Sequence, residues 1–512
     1  MSTSVPARSY SDAVEYLNTL QSNAATLEAV RAAGARLNPN AIPEMIEYLR
    51  RIGYEDLNRL NVIHITGTKG KGSTSALTDS IIRHVKPDWN VGLYTSPHLV
   101  AVRERIRING KPISEDDFAK YFFEVWDKLK SNDERANPET TPSMPGYFRY
   151  MTLLAYHTFS QLKVDATILE VGIGGHSDST NIVPKPIVTG VTALGLDHTS
   201  VLGKTLADIA WQKGGIYKEG VPALTVNQVK EGMDVLTERA TTLKVSRASE
   251  FKVVSLTPEL SSVKLGLAGE HQVQNAALAV EMARIFLSAQ GALCIPAESL
   301  PEAFVRGLEN TRWPGRCQTV IDPNPLHAST NWYLDGAHTT ESLDCCVQWF
   351  VSPGVGLAPS PSSSTGRPLR VLVFNCTNGR SGTLFLGSVL AKATAQLALY
   401  GSTETADSFF DHVIFCNNVT YADGGFKSDL TSLGMSDADM KHLKTQKELA
   451  EAWKGLAPSY PTDAIHVLGS IEEAVKTIRS LSSDRPVNVL VTGSLHLVGG
   501  TIEVAGLSSV AL

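Results

Sequence analysis

Apolar, β-rich runs recur along this chain with helical stretches between them, and this alternation narrows the fold more than any other feature of the sequence. The runs read VIHIT (62–66), ATILEVG (166–172), IVTGVTAL (187–194), WYLD (332–335), RVLVFN (370–375), HVIFCN (412–417) and VNVLVTG (487–493). Strands separated by helices pair in parallel through crossover connections and bury both faces of their sheet. The expected class is therefore α/β. At 512 residues the chain exceeds what one hydrophobic core sustains, so two domains are expected.

Proline marks the division. In "NTRWPGRCQTVIDPNPLHAST" (310–330), Pro314, Pro323 and Pro325 interrupt a helix-to-strand passage, and a fresh series of strands and helices begins at Tyr333. The expected domains are 1–325 and 326–512. A second tract, "VSPGVGLAPSPSSSTGRPL" (351–369), is too rich in Pro, Ser and Gly to pack, and reads as a surface loop inserted in the second domain. No repeat of solenoid period is visible.

Composition removes several classes of function. A formal net charge of −6 argues against a protein whose affinity for nucleic acid comes from a basic face. By eye no apolar run reaches the roughly 18 residues that span a bilayer, and the start, MSTSVPARSYSDAVEYL, has no secretory core, so no stable membrane insertion is expected. The cytosol is the expected compartment, and Arg8 in a short N-terminal stretch leaves room for a mitochondrial form. Cys294, Cys317, Cys345, Cys346, Cys376 and Cys416 form no CxxC pair and no metal spacing, and read as reduced packing residues.

The chemistry concentrates in "VIHITGTKGKGST" (62–74), where a buried strand ends in a glycine-rich turn and a helical pattern follows. Glycine lets the backbone bend and approach a ligand, and a helix N-terminus presents unpaired N–H groups with partial positive charge. This is a phosphate cradle, with Gly70 and Gly72 in the turn, Lys71 supplying charge to terminal phosphates and Ser73 a hydroxyl near a metal. The spacing departs from GxxxxGK[ST]: only two residues separate Gly67 from Gly70-Lys71, and Ser73 falls one place late. Read alone, the stretch is also compatible with a glycine turn carrying two solvated lysines.

GTKGKGS resembles the compact phosphate loop of the folylpolyglutamate synthase and Mur ligase superfamily. "YTSPHLVAVRERIRINGKPIS" (94–114), "ILEVGIGGHSDSTNIV" (168–183), "LGLDHTSVLGKTLADIAWQKGGIYK" (194–218), "GEHQVQNAALA" (269–279), "TRWPGRCQ" (311–318), "YLDGAHTTES" (333–342) and "VTGSLHLVGG" (491–500) resemble blocks of eukaryotic, fungal-type folylpolyglutamate synthases in their usual order. The resemblance runs over most of the chain from about residue 60. It implies an N-terminal P-loop ATPase-type domain with a parallel-rich central sheet and a smaller, Rossmann-like C-terminal domain. The implied activity joins L-glutamate to the γ-carboxylate of a reduced folate or of its glutamate tail, with ATP as co-substrate and Mg²⁺, in two sites, as cofactor. A monovalent cation such as K⁺ is compatible with the family, and a monomer is expected.

Individual residues acquire roles through that resemblance. Glu170 ends an apolar strand before the bend Gly172–Gly175, so its carboxylate emerges where α/β ligand sites lie; by position alone it is equally a ligand or a salt-bridge partner. The family makes Glu170, His198 and Ser96 ligands of Mg²⁺, although magnesium favours hard oxygens and a lone His is more often a packed residue. Lys213 matches a lysine that the family carbamylates; otherwise it would pair with phosphate or with Asp208. Arg316 and Asp335 match residues that hold ATP from the second domain, the guanidinium at phosphate and the carboxylate at ribose, and domain closure would complete the site. Gln272 and Asn275 resemble nucleotide-contacting positions, and His338 and His496 positions near the incoming glutamate. Thr339 stands where many relatives have Asn. Arg103, Arg105 and Arg107 alternate as a solvated face would, or form a cationic rim to a folate site. Lys71, His198 and Lys213 are the expected catalytic groups. Dihydrofolate synthesis, another Mur-type ligation, or a nucleotide-switched binding module are the alternatives.

Overall fold

The computed structural model describes residues 8–22, 38–245, 251–292, 296, 299–357, 367–376, 381–423, 425, 427–430, 442–481 and 485–512. The chain divides into two compact units, one of residues 1–98, 102–266 and 272–312, the other of 99–101, 267–271 and 313–512.

The first unit is built on an eight-stranded sheet of β1 (Val62–Thr66), β2 (Val91–Tyr94), β3 (Ile106–Ile108), β4 (Lys111–Pro112), β5 (Ala166–Glu170), β6 (Val188–Val191), β7 (Ala223–Thr225) and β8 (Lys252–Val253), in the order β4-β3-β2-β5-β1-β6-β7-β8. All pairings are parallel except the β2-β3-β4 edge. β1 and β5 are buried at every position, as strands covered on both faces must be. One core cluster joins Tyr94 and Leu169 to the helices Tyr10–Asn18, Ala41–Arg51, Glu115–Ser131 and Tyr147–Gln161. Helix Glu302–Asn310 lies against helix Lys71–Val85 so closely that a β-carbon on Gly307 would stand 2.7 Å from the Ile81 α-carbon.

The second unit has a six-stranded sheet of β9 (Gln318–Ile321), β10 (Thr330–Leu334), β11 (Leu369–Phe374), β12 (His412–Cys416), β13 (Ile465–Leu468) and β14 (Val487–Thr492), ordered β13-β12-β11-β14-β10-β9 and antiparallel only at β9. β11 and β14 are buried throughout. Two core clusters, one on Phe350, Leu372 and Trp453, the other on Trp332, Val489 and Ile502, cover the sheet.

Three expectations need correction. The division falls at Arg312–Trp313 and not at 325–326, because β9 pairs with β10 and so belongs to the second sheet. Of the tract 351–369, residues 358–366 lie outside the described residues; Val351 and Leu357 are buried and Leu369 already belongs to β11. Helix Gly382–Leu399 is 18 residues long and apolar enough by composition to cross a membrane, a run disguised by its interspersed Gly, Ser and Thr; Phe385, Leu386, Val389, Ala393 and Leu397 join the second unit's core.

Cys317, Cys346, Cys376 and Cys416 are buried free thiols and Cys345 is half-buried, as packing residues should be; Cys294 lies outside the described residues.

Candidate active site

The chain order of the first sheet reverses at β1, which has β5 on one side and β6 on the other. Loops after strands on either side of such a point diverge and leave a crevice at the carboxyl edge. Each sequence-predicted residue of this unit hangs from that edge: Gly70 to Ser73 after β1, Ser96 after β2, Glu170 at the end of β5, His198 after β6.

The phosphate loop is held by its neighbours. Thr68 and Lys69 both donate their backbone N–H to the Ala193 carbonyl, at 2.9 and 3.1 Å, and the Thr192 hydroxyl donates to the Lys69 carbonyl at 2.6 Å. Gly70 has φ +90°, and any β-carbon there would collide with the Asn275 side-chain oxygen. Gly70 is the N-cap of helix Lys71–Val85 and lacks a capping side chain. The first-turn N–H groups therefore face the loop with no protein side chain capping them, which is the arrangement an anion exploits. Ser73 is buried, and Gln272 donates to its hydroxyl at 3.4 Å while Asn275 donates to Gln272 at 2.9 Å. Gln272 and Asn275 thus brace the loop from behind.

Charge around the loop is arranged by burial. Lys213, on helix Leu206–Gly214, is 4% exposed and donates to the Gly67 carbonyl at 2.6 Å. Burial, then the neighbouring Lys71, pushes its amine well below the ordinary lysine range against the pull of Asp197. Asp208, the alternative partner expected for Lys213, instead closes a capping box with Thr205 at the start of the same helix. Lys69 pairs with Asp197 at 3.2 Å, and Asp197 also accepts the His198 N–H at 2.9 Å. His198 has φ +51°, in the left-handed region. Crowding, followed by Lys71, Lys213 and Lys69, lowers its pKa against Asp197, so its imidazole is neutral and able to act as a ligand.

Glu170 is 4% exposed and its Oε2 accepts the Ser96 N–H at 3.0 Å. The bend after it is fixed by Asp178, whose carboxylate accepts the N–H groups of Gly172 and Ile173 and both the N–H and hydroxyl of Thr180. Ser96, Glu170 and His198 offer one hydroxyl, one carboxylate and one neutral imidazole. Among the described residues no group of three or more His, Cys, Asp or Glu forms a protein-only metal cage. So sparse a donor set fits an ion that fills its shell with phosphate oxygens and water, as Mg²⁺ does.

Asp178, Asp197, Thr68 and Thr192 were not singled out in the sequence. Their signal is faint but present: each is a polar residue within a few positions of a strand end or glycine bend.

The three arginines depart from expectation. Arg105 is 9% exposed and donates to His98 Nδ1 at 2.9 Å; Arg107, on β3, is 6% exposed and donates to the Gly110 carbonyl at 3.3 Å. Arg103 donates to the Ile113 carbonyl at 3.0 Å and is half-buried. Two of them are structural groups inside the unit, so neither a solvated face nor an exposed cationic rim describes the trio; the backbone turns through a short 3-10 helix at Val102–Arg105 and breaks the alternation.

In the second unit Arg316 and Asp335 meet. Asp335, just past β10, accepts the N–H groups of Cys317 and Ala337 at 2.7 and 2.9 Å, and the Gly336 N–H bonds the Gly315 carbonyl at 3.0 Å. His338 follows β10 and His496 opens the helix after β14, the strand paired with β10. Thr339 is the N-cap of helix Thr340–Phe350 and shares a capping box with Ser342.

Fold and loop together define a phosphate-binding α/β protein of two units. No profile of a known protein family matches the chain. It is 44% identical to the folylpolyglutamate synthase of Saccharomyces cerevisiae strain S288c, over 97% of this chain and 87% of the yeast protein. Folylpolyglutamate synthase of Mycobacterium tuberculosis, solved with ADP, superposes with a TM-score of 0.65 at 23% identity, covering 97% of this chain and 99% of that one. Another such synthase, solved with AMPPCP and folate, gives a TM-score of 0.62 at 21% identity over 97% of this chain and 99% of its own. The chain belongs to the folylpolyglutamate synthase family.

Proposed function

We propose that the protein is an ATP-dependent ligase that adds L-glutamate to the γ-carboxylate of tetrahydrofolate and of its polyglutamates, releasing ADP and phosphate. The observation that carries this reading is the gathering of the phosphate loop, Glu170 and Lys213 at one sheet edge, in a chain that matches the yeast synthase over 97% of its length.

In the proposed reaction the terminal folate carboxylate attacks the γ-phosphorus of ATP and ADP leaves, forming an acyl phosphate. The amine of glutamate then attacks the activated carbonyl, loses a proton, and expels phosphate as the new amide forms. Such chemistry asks chiefly for positioned charge. Gly70, Gly72 and the first-turn N–H groups cradle phosphate oxygens, while Lys71 and Arg316 neutralise phosphoryl charge; Ser73 and Asp335 complete the nucleotide machinery. Ser96, Glu170 and His198 would hold Mg²⁺, which supplies Lewis-acid polarisation of the phosphates when bound.

A neutral lysine amine is the form that adds CO₂, so the depressed pKa of Lys213 supports its carbamylation, which would turn a buried cation into an anionic metal ligand. His338 and His496 serve the incoming glutamate on this reading. The protein works as a monomer in the cytosol, and a mitochondrial form is compatible with it.

The test is direct. Purified protein is incubated with MgATP, labelled glutamate and either tetrahydrofolate or dihydropteroate, and products are separated by chain length. Glutamate-dependent ADP release with elongated tetrahydrofolates is the expected result. Elongation of dihydropteroate alone would replace this reading with dihydrofolate synthesis, and ATP hydrolysis indifferent to both substrates would replace it with a nucleotide switch.

A further inference from the structure

The Asp335 carboxylate is 6% exposed, and each of its oxygens already accepts a backbone N–H: Oδ2 from Cys317 at 2.7 Å, Oδ1 from Ala337 at 2.9 Å. The thiols of Cys317 and Cys346 also face it, and both are buried. A carboxylate is an acceptor with about four lone-pair positions, and donors from its own unit crowd this one. Little of it is left for a ribose.

What those bonds hold is the turn that carries Arg316. Gly315 has φ +68° and Cys317 has φ +43°. The second value is costly for a residue with a β-carbon and persists only where the surroundings impose it. Three bonds do so: Gly336 N–H to the Gly315 carbonyl at 3.0 Å, Gly315 N–H to Gln318 Oε1 at 2.8 Å, and Cys317 N–H to Asp335. Arg316, between the two left-handed residues, folds its Nη1 back onto the Gly315 carbonyl at 3.0 Å. The same nitrogen lies 2.6 Å from where a β-carbon on Gly336 would be, so the residue after Asp335 must be glycine for the guanidinium to rest there.

The geometry points to Asp335 as a positioning residue for Arg316: it fixes the 315–317 turn and thereby the guanidinium, and does not itself grip the nucleotide's sugar. This rests on the ligase reading above, which gives Arg316 its phosphoryl charge to neutralise. Asp335, Gly336 and the Gly315–Cys317 turn then form one device within the second unit, and Arg316 is the part that meets substrate.

The test is a cycle on the full-length enzyme. Ligation is measured with ATP, 2′-deoxy-ATP and 3′-deoxy-ATP for wild type, Asp335→Ala, Arg316→Ala and the double variant. Each single change is expected to lower kcat/KM for ATP at least tenfold, and the double to lie within twofold of Arg316→Ala. The ratio of ATP to each deoxynucleotide is expected to match wild type within twofold in Asp335→Ala. Losses that multiply in the double variant, or a deoxynucleotide ratio that collapses only when Asp335 is removed, would overturn the proposal. Gly336→Ala guards against a simple folding defect, since it keeps the carboxylate while displacing the guanidinium. It is expected to reproduce the Arg316→Ala loss with the deoxynucleotide ratios intact, and a Gly336→Ala enzyme of wild-type kcat/KM would also overturn the proposal. If wild type shows no glutamate-dependent ADP release, the ligase reading has failed. The same cycle is then read from calorimetric titration of the three nucleotides, with the same non-additivity expected.

Discussion

Lys213 and Gly67, 146 residues apart, are joined by a 2.6 Å hydrogen bond from the lysine amine to the glycine carbonyl at the root of the phosphate loop. The bond ties helix Leu206–Gly214 to the end of β1 and sets a nearly inaccessible amine among other cations. An unfolded chain keeps that lysine protonated up to about pH 10.4, whereas the native site disfavours the proton at neutral pH. Stability from this group therefore rises with pH toward that value, and at pH 7 the lysine costs stability. In CO₂-free buffer Lys213→Met is expected to raise the urea midpoint at pH 7, to flatten the rise in stability between pH 7 and 10, and to abolish ligation. A Met variant less stable than wild type at pH 7 would contradict this account of the site.

Lys71 is a different case. It is half-buried, and the contact of its amine with the Thr68 carbonyl is 3.5 Å, long for a hydrogen bond. Lys71→Ala is expected to change folding stability by no more than about 0.5 kcal/mol. Ligation should fall at least about 100-fold, roughly 3 kcal/mol of lost transition-state stabilisation. Because Lys71 also presses the Lys213 pKa downward, the variant's pH–rate profile should move to higher pH. Near-normal turnover would remove the loop from the mechanism.

Much of this was legible in the sequence, for physical reasons. β1, β5, β11 and β14 are long, continuously apolar and buried on both faces, so their composition announces them. A glycine-rich turn after such a strand leaves few readings. β2, β7, β8 and β13 are four residues or fewer and take their strand character from neighbours. The burial of Arg105 and Arg107 was hidden because acceptors such as His98 and the Gly110 carbonyl decide it, and charge alternation does not reveal them. The work of Asp178 was likewise illegible: four donors meet its carboxylate only once the bend at 172–175 has formed.

Gly70 tests the loop's packing. Alanine there must adopt φ +90° and set a β-carbon against the Asn275 side chain. The left-handed conformation alone costs about 1–2 kcal/mol, and overpacking typically adds about 1–3 kcal/mol. Asn275→Ala removes the obstacle but forfeits the 2.9 Å bond to Gln272. In urea denaturation Gly70→Ala/Asn275→Ala should be more stable than the sum of the single variants by about 1 kcal/mol or more. Simple additivity would mean that backbone conformation, and not the Asn275 contact, sets the cost.

His64 lies at the centre of β1 with no exposed surface, and its Nε2 is 2.8 Å from the Thr180 hydroxyl. That hydroxyl donates to Asp178 at 2.6 Å, so the imidazole must be the donor at Nε2, and Nδ1 is left without a hydrogen-bond partner. Burial, aided by Lys218, lowers the pKa to about 3. The unfolded chain takes up this proton near pH 6.5 and the native chain does not, so the stability in question is intact above pH 6.5 and is lost as pH falls toward 3. From this residue alone the loss between pH 7 and pH 4 is about 3 kcal/mol. His64→Leu is expected to have a visibly shallower fall in urea midpoint over that interval. The helices and loops hung from β1 should then survive mild acid longer in the variant. Parallel curves for the two proteins would show that His64 is protonated in the native state and that β1 tolerates its charge.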